Sequence, residues 1–298
     1  MKRILITGAG SYIGTSFESY IQAHYADQYT VDTLDMIGDN WKSYDFSGYD
    51  SVFHVAGIAH SDNGKISAEK EKLYYAVNTD LTVQTAQKAK ADGVGQFIFM
   101  SSAIVYGDSA PIGKSKCITA QTPVSPANCY GDSKVQAENG LSPLEDDAFR
   151  VVILRPPMIY GKGSKGNYPL LSKIARKLPL FPYVKNERSM LYVENLCEFV
   201  HLMIKNEERG IFWPQNEQYA NTAKLIQTIA QTHHKKVRLI KGFGWLVKFM
   251  GLFTGLVNKA FGNLTYEQSL SQYKENYIVV SFPESIKLTE NGPEIDEN

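Results

Sequence analysis

The chain has few cysteines, no block of like charge and no long uninterrupted apolar run. Cys117, Cys129 and Cys197 lie far apart and form no Cys-x-x-Cys pair, which speaks against a disulfide framework or a zinc ligand set and fits a reducing, cytoplasmic setting. The 31 basic and 31 acidic residues cancel and are interspersed, so there is no electrostatic case for nucleic acid or an anionic membrane surface. Between Met1 and Gly8 the only apolar run is Ile4-Leu5-Ile6, too short for the core of a signal peptide. The most membrane-like stretch, Trp245 to Phe261, is interrupted by Lys248, Gly251, Thr254, Gly255, Asn258 and Lys259. It is expected to form a helix pair covering a site rather than a span. No repeat or low-complexity segment is visible, and the polar end from Glu290 to Asn298 is expected to fray.

The chain alternates short apolar runs with helical periodicity. Strands are expected at Arg3–Thr7, Tyr29–Leu34, Ser51–Val55, Gln96–Ser101 and Phe149–Leu154, with helices at Tyr12–Tyr25, Leu73–Ala91 and Tyr130–Asn139. This order predicts an α/β fold with a Rossmann-type, doubly wound parallel sheet and right-handed crossovers. Residues 1–163 are expected to form a dinucleotide-binding domain to which 187–207 return, and 164–298 a smaller α/β substrate domain. In such a sheet ligands bind outside the carboxyl ends of the strands, where Gly8, Asp35, Ala56-Gly57, Ser101-Ser102 and Arg155-Pro156 fall.

Thr7-Gly8-Ala9-Gly10-Ser11-Tyr12-Ile13-Gly14 joins the first strand to the first helix, the context in which a glycine turn places a pyrophosphate on a helix N-terminus. Gly8 permits the tight turn, Gly10 or Ser11 the approach of the phosphates, and Gly14 close helix packing. Asp35, at the end of the second strand, offers a carboxylate to the adenosine ribose and would repel the 2′-phosphate of NADP, so NAD is the expected cofactor. Asp45 and Phe46 are candidates to flank the adenine, and Ala56-Gly57 leave space for the cofactor backbone.

Tyr130 and Lys134, four residues apart, share a helix face, where an ammonium can favour the ionised phenol and turn it into a base for a sugar or alcohol hydroxyl. Cys129 and His54 are read as packing residues.

Taken in order, Gly8 to Gly14, Asp35, His54-Val55-Ala56-Gly57, Asn78, Ser101 to Gly107, Tyr130 to Lys134 and Arg155-Pro156 resemble the extended short-chain dehydrogenases/reductases of the NAD-dependent epimerase/dehydratase family. Pro157 to Gly161, Lys165 to Tyr168 and Arg188 to Leu196 are similar to the subgroup of UDP-sugar 4-epimerases and bacterial 4-keto-sugar reductases of surface-polysaccharide synthesis. Ser11 stands where the family usually has glycine. The resemblance implies that Tyr130 removes a proton from a sugar hydroxyl as hydride leaves the adjacent carbon, that Lys134 lowers the phenol's pKa and holds the nicotinamide ribose, and that Ser102 orients the reacting oxygen. It further implies cofactor contacts from Asn78, Ser101 and Pro156. A nucleotide-sugar substrate needs cations and amide donors for its diphosphate, and Lys165, Asn167 and Arg188 are the candidates.

Ala103-Ile104 occupy the place of the acid pair of family dehydratases, which argues against 4,6-dehydration, and no cysteine in Ser102 to Tyr106 signals C3/C5 epimerisation. Two enzymes remain, a 4-epimerase that keeps its NAD and a 4-keto-sugar-nucleotide reductase that exchanges NAD(P)H; Asp35 favours the epimerase. A non-catalytic dinucleotide-binding sensor is the alternative from another class, and the Ser102, Tyr130 and Lys134 trio speaks against it. No metal is expected, and a homodimer is an open possibility for this family.

Overall fold

The computed structural model describes residues 1–59, 66–244 and 261–291. The strands are β1 (Lys2–Thr7), β2 (Tyr29–Leu34), β3 (Ser51–His54), β4 (Gln96–Met100), β5 (Cys117–Ile118), β6 (Arg150–Leu154), β7 (Met158–Tyr160), β8 (Leu180–Pro182), β9 (Met190–Tyr192), β10 (Gly210–Phe212), β11 (Arg238–Ile240) and β12 (Thr265–Tyr266). The α-helices are α1 (Tyr12–His24), α2 (Ala68–Tyr75), α3 (Leu81–Ala91), α4 (Cys129–Leu141), α5 (Asn167–Lys177), α6 (Val193–Lys205), α7 (Thr222–Thr232) and α8 (Phe282–Asn291). The chain divides into two compact units, one of 1–107, 123–156 and 196–214, the other of 108–122, 157–195 and 215–298.

The first unit is built on a six-stranded sheet in the order β10-β6-β4-β3-β1-β2, parallel at every pairing. Strands covered on both faces are mostly apolar, and β3 and β4 are buried at every position, their polar residues Ser51, His54 and Gln96 being hydrogen-bonded within the core. Leu5, Val52, Phe97, Phe99 and Ile153 from the strands meet Ala86, Ala89, Ala137 and Leu141 from α3 and α4 in one core. The order reverses at β1, which lies between β2 and β3; that places the crevice of a doubly wound sheet at the β1 carboxyl end.

Two helix starts are fixed by side-chain caps at the same edge. Ser11 accepts from the Gly14 amide at 3.2 Å and opens α1, while Asn128 accepts from the Gly131 amide at 2.9 Å and opens α4. The helix expected at Leu73–Ala91 begins earlier, at Ala68, because Ser67 caps it through the Lys70 amide. It also contains a π-helical turn at Ala76–Asp80 between α2 and α3.

Among the described residues, the second unit holds three two-stranded parallel pairs, β7 with β9, β8 with β11 and β5 with β12, and the helices α5, α7 and α8. Asp108–Thr122 join it because β5 pairs with β12, although the sequence places them inside the first domain. The expected fraying from Glu290 does not occur at its first residues: α8 runs to Asn291, and Glu290 accepts from Ser172 at 2.8 Å and meets His233 at 2.6 Å. Most of the apolar stretch Trp245 to Phe261 lies outside the described residues.

Candidate active site

The carboxyl edge of the main sheet gathers the glycine turn, Asp35, Ala56-Gly57 and Ser101-Ser102. Gly8 has φ +118°, and a Cβ there would stand 2.7 Å from the Ala56 amide nitrogen, so the β1 turn and the β3 turn approach as only glycine permits. Its amide and that of Ala9 both donate to the Leu34 carbonyl, at 2.9 and 3.1 Å, drawing the turn against the end of β2. Gly10, at φ +71°, faces open space, with nothing within 4 Å of the place a Cβ would take. Tyr12 and Ile13 form the first turn of α1, whose amides and dipole favour an anion. An open cradle of glycine backbone at a helix N-terminus fits a pyrophosphate. Ser11 in the family's glycine position serves as the cap of α1.

Asp35 is exposed immediately after β2, and one of its oxygens accepts from the Ile37 amide at 3.0 Å. Asp45 is also exposed; its bond to Ser47 holds its carboxyl below the usual range. Phe46, by contrast, is fully buried among Leu5, Val52 and Phe97 and offers no face to an adenine ring.

Ser102, Tyr130 and Lys134 come together from β4 and α4. Ser102 follows β4 and caps a short 3₁₀ turn at Ala103–Tyr106, accepting from the Ile104 amide at 3.3 Å, and its hydroxyl is close enough to the Tyr130 phenol to lower its pKa. Burial pushes the phenol up to about 12, and the neighbouring Ser102 hydroxyl works against that rise. The expected ammonium beside the phenol takes a different course. Lys134 Nζ donates to the Met100 carbonyl at 2.9 Å and lies 4.5 Å from the Phe99 ring centroid. Burial brings Lys134 down to about 8. The reason is local: an ammonium withdrawn from water needs an acceptor, and the last carbonyl of β4 is within reach.

Asn78, fully buried on the π-helical turn, bonds Ile58 in both directions and donates to Ser133 Oγ at 3.1 Å, tying the β3 turn to α4. A Cβ on Gly57 would come within 3.1 Å of Asn78 Oδ1 and 3.3 Å of Lys134 Nζ, so this turn lies directly over the lysine. The Ser101 hydroxyl donates to Glu138 at 2.5 Å. The Pro156 carbonyl accepts from the Ala103 amide at 2.9 Å and steadies the 3₁₀ turn. His54 is a core residue, bonded to Thr7 and Thr82 and held neutral by burial with a pKa of about 3.

In the second unit, Lys165 and Asn167 are exposed at the start of α5. Arg188 is half-buried, paired through its backbone with Ala220, and burial lowers its pKa. Sequence reasoning missed Glu138, a buried carboxylate four residues after Lys134 that binds Arg155; its i+4 spacing was the available signal. Among the described residues, no three His, Cys, Asp or Glu side chains are grouped to hold a metal ion, and no helix is long and apolar enough to cross a membrane.

The model of the NAD dependent epimerase/dehydratase family matches residues 4–213. The chain belongs to this family and is an enzyme of it. It is 30% identical to a UDP-glucose 4-epimerase of Vibrio cholerae over 90% of this chain and 88% of that protein. It is also 30% identical to an N-acetyl-alpha-D-glucosaminyl-diphospho-ditrans,octacis-undecaprenol 4-epimerase of Escherichia coli O157:H7, over 78% and 73%. Among solved structures, a dTDP-4-dehydrorhamnose reductase of Clostridium acetobutylicum superposes with a TM-score of 0.72 at 16% identity, covering 96% of this chain and 98% of that one. A UDP-glucuronic acid 4-epimerase of Bacillus cereus in complex with NAD gives 0.69 at 15% identity, covering 97% of each. These two likenesses concern the fold, a Rossmann-type sheet shared by epimerases and reductases.

Proposed function

We propose that this enzyme is a nucleotide-sugar 4-epimerase that binds NAD at the Gly8–Gly14 turn and inverts C4 of a UDP-sugar through a transient 4-keto sugar. The observation that carries the reading is the convergence of Ser102, Tyr130 and buried Lys134 at the carboxyl end of β4, on the sheet edge that also bears the glycine cradle. The two relatives named as 4-epimerases, each 30% identical over most of the chain, support it.

Bound NAD supplies a hydride acceptor that can return what it takes. Tyr130 takes the proton of the C4 hydroxyl and gives it back after the ketone has been reduced on its other face. A phenol at about 12 is protonated at neutral pH, so it must be brought down; the Ser102 hydroxyl works in that direction, and the charge of Lys134, one turn along the same helix, is assigned to the same task once substrate and cofactor are bound. Ser102 also orients the reacting oxygen. Asp35 receives the adenosine ribose hydroxyls and selects NAD, and Arg188, Lys165 and Asn167 are assigned to the diphosphate.

The test starts from freshly purified protein. It is denatured and any released dinucleotide is identified by mass; native protein is then incubated with UDP-glucose, UDP-galactose and their N-acetyl forms. Bound NAD and interconversion of 4-epimers without net formation of NADH support the epimerase. Protein free of dinucleotide that converts none of them, yet oxidises NADH or NADPH with a 4-keto-6-deoxy sugar nucleotide, replaces it with the reductase.

A second reading keeps the chemistry and changes the carrier to a polyprenyl diphosphate. The Escherichia coli relative and the apolar composition of Trp245 to Phe261 support it. Polyprenyl-diphosphate-linked N-acetylglucosamine in detergent belongs in the same assay: epimerisation of it and of no UDP-sugar selects this reading.

A further inference from the structure

We propose that Glu138 is a positioning residue of the active site: its buried carboxylate, bonded to Ser101 and Arg155 one helical turn beyond Lys134, keeps Lys134 charged and fixes the strand end that carries Ser102. The inference rests on reading Ser102, Tyr130 and Lys134 as the reacting site.

A carboxylate as buried as Glu138, at 5% exposure, requires partners. Arg155 supplies two, donating from Nε to Oε1 at 3.1 Å and from Nη2 to Oε2 at 2.5 Å, and the Ser101 hydroxyl supplies a third, to Oε1 at 2.5 Å. Arg155 extends the chain of bonds to the Tyr106 hydroxyl at 2.7 Å, which also accepts from Trp213 Nε1 at 2.7 Å. Ser101 immediately precedes Ser102, and Tyr106 closes the 3₁₀ turn that Ser102 caps. The network therefore grips the Ser102 segment on both sides.

The charges point the same way. Two buried cations, Lys134 and Arg155, share one buried anion, and Glu138 lies on the face of α4 that bears Lys134. Burial lowers the lysine's pKa while Glu138 opposes the fall. The other titratable groups around Lys134 do not replace it. His54 on β3 is neutral, Tyr130 on α4 is a protonated phenol, and Tyr74 on α2 packs with its ring centroid 5.9 Å from that of Tyr130. A purely structural ion pair would need only Arg155, and its loss would alter stability without altering the titration of Lys134.

The discriminating experiment is a pH titration of Lys134 by NMR in the full-length chain carrying ¹³Cε-labelled lysine, the signal being assigned by its loss in Lys134→Met. In the native protein the midpoint is expected near 8. In Glu138→Gln it falls by about one pH unit or more, the size expected for losing a nearby opposite charge. The alkaline limb of the turnover profile moves to lower pH by the same amount. Should Glu138→Gln fail to fold with Arg155 left uncompensated, Glu138→Gln/Arg155→Met removes both charges, and its midpoint is expected below that of Arg155→Met alone. An unchanged midpoint, with only thermal stability altered, overturns the proposal. A protein that converts no nucleotide sugar overturns the functional reading instead, and the Lys134 titration still decides the role of Glu138.

Discussion

Lys134 donates a 2.9 Å hydrogen bond to the backbone carbonyl of Met100, the last residue of β4. This bond joins α4 to the strand that leads into Ser102, so the lysine, the serine and Tyr130 are placed by one junction of helix and sheet. Burial of this junction withdraws the ammonium from water, which is why its pKa falls, while the bond to the carbonyl favours the charged form.

Tyr130→Phe removes the proposed proton acceptor and little packing. Turnover is expected to fall about 10²–10⁴-fold, the range for loss of a positioned acid–base group, with dinucleotide affinity within a few-fold of native. Steady-state kinetics together with calorimetric NAD titration checks both, and undiminished turnover removes Tyr130 from the chemistry.

Asp35→Ala should narrow the preference for NAD over NADP, because an exposed carboxylate at the end of β2 repels a 2′-phosphate. The expected change in the ratio of affinities is about tenfold, equivalent to ~1.4 kcal/mol. An unaltered ratio shows that the ribose lies elsewhere.

Gly10→Ala separates the cradle from the fold. The new Cβ meets no atom within 4 Å, but φ of +71° carries a cost of about 1–2 kcal/mol for a residue with a side chain. A small drop in melting temperature and a much larger loss of dinucleotide affinity are expected. Equal NAD binding at saturating protein would mean that the phosphates do not approach Gly10.

His54 gives a pH signature of the core. Its pKa is depressed to about 3 in the folded chain against 6.5 for an ordinary histidine, so its stabilising contribution is complete above about 6.5 and is lost as pH falls toward 3. Urea unfolding between those values should show stability declining with acidity, and the decline should be shallower in His54→Leu, although that variant is less stable throughout. Parallel slopes would contradict a buried neutral imidazole.

The sheet was legible because its central strands are short runs dominated by apolar residues; edge strand β2, although it carries Thr30, Asp32 and Thr33, runs over Tyr29–Leu34 as the pattern predicts, and β3 and β4 end one residue early. Less visible were features set by partners distant in sequence. Glu138 on α4 reaches Arg155, the residue after β6, and Phe46 is drawn into the core by Leu5 and Val52. The pairing of β5 with β12 carries Asp108–Thr122 into the second unit, and a two-residue strand such as Cys117–Ile118 has too little periodicity to announce it. The π-helical turn around Asn78 has the composition of an ordinary helix; its widening shows only in the backbone.

The central claim is that hydride leaves C4 and returns to the same carbon, and UDP-glucose deuterated at C4 tests it most directly. UDP-galactose is expected to keep its deuterium at C4, with no exchange from solvent and no net NADH. Protium at C4 of the product, or conversion that requires added NADH, would contradict it.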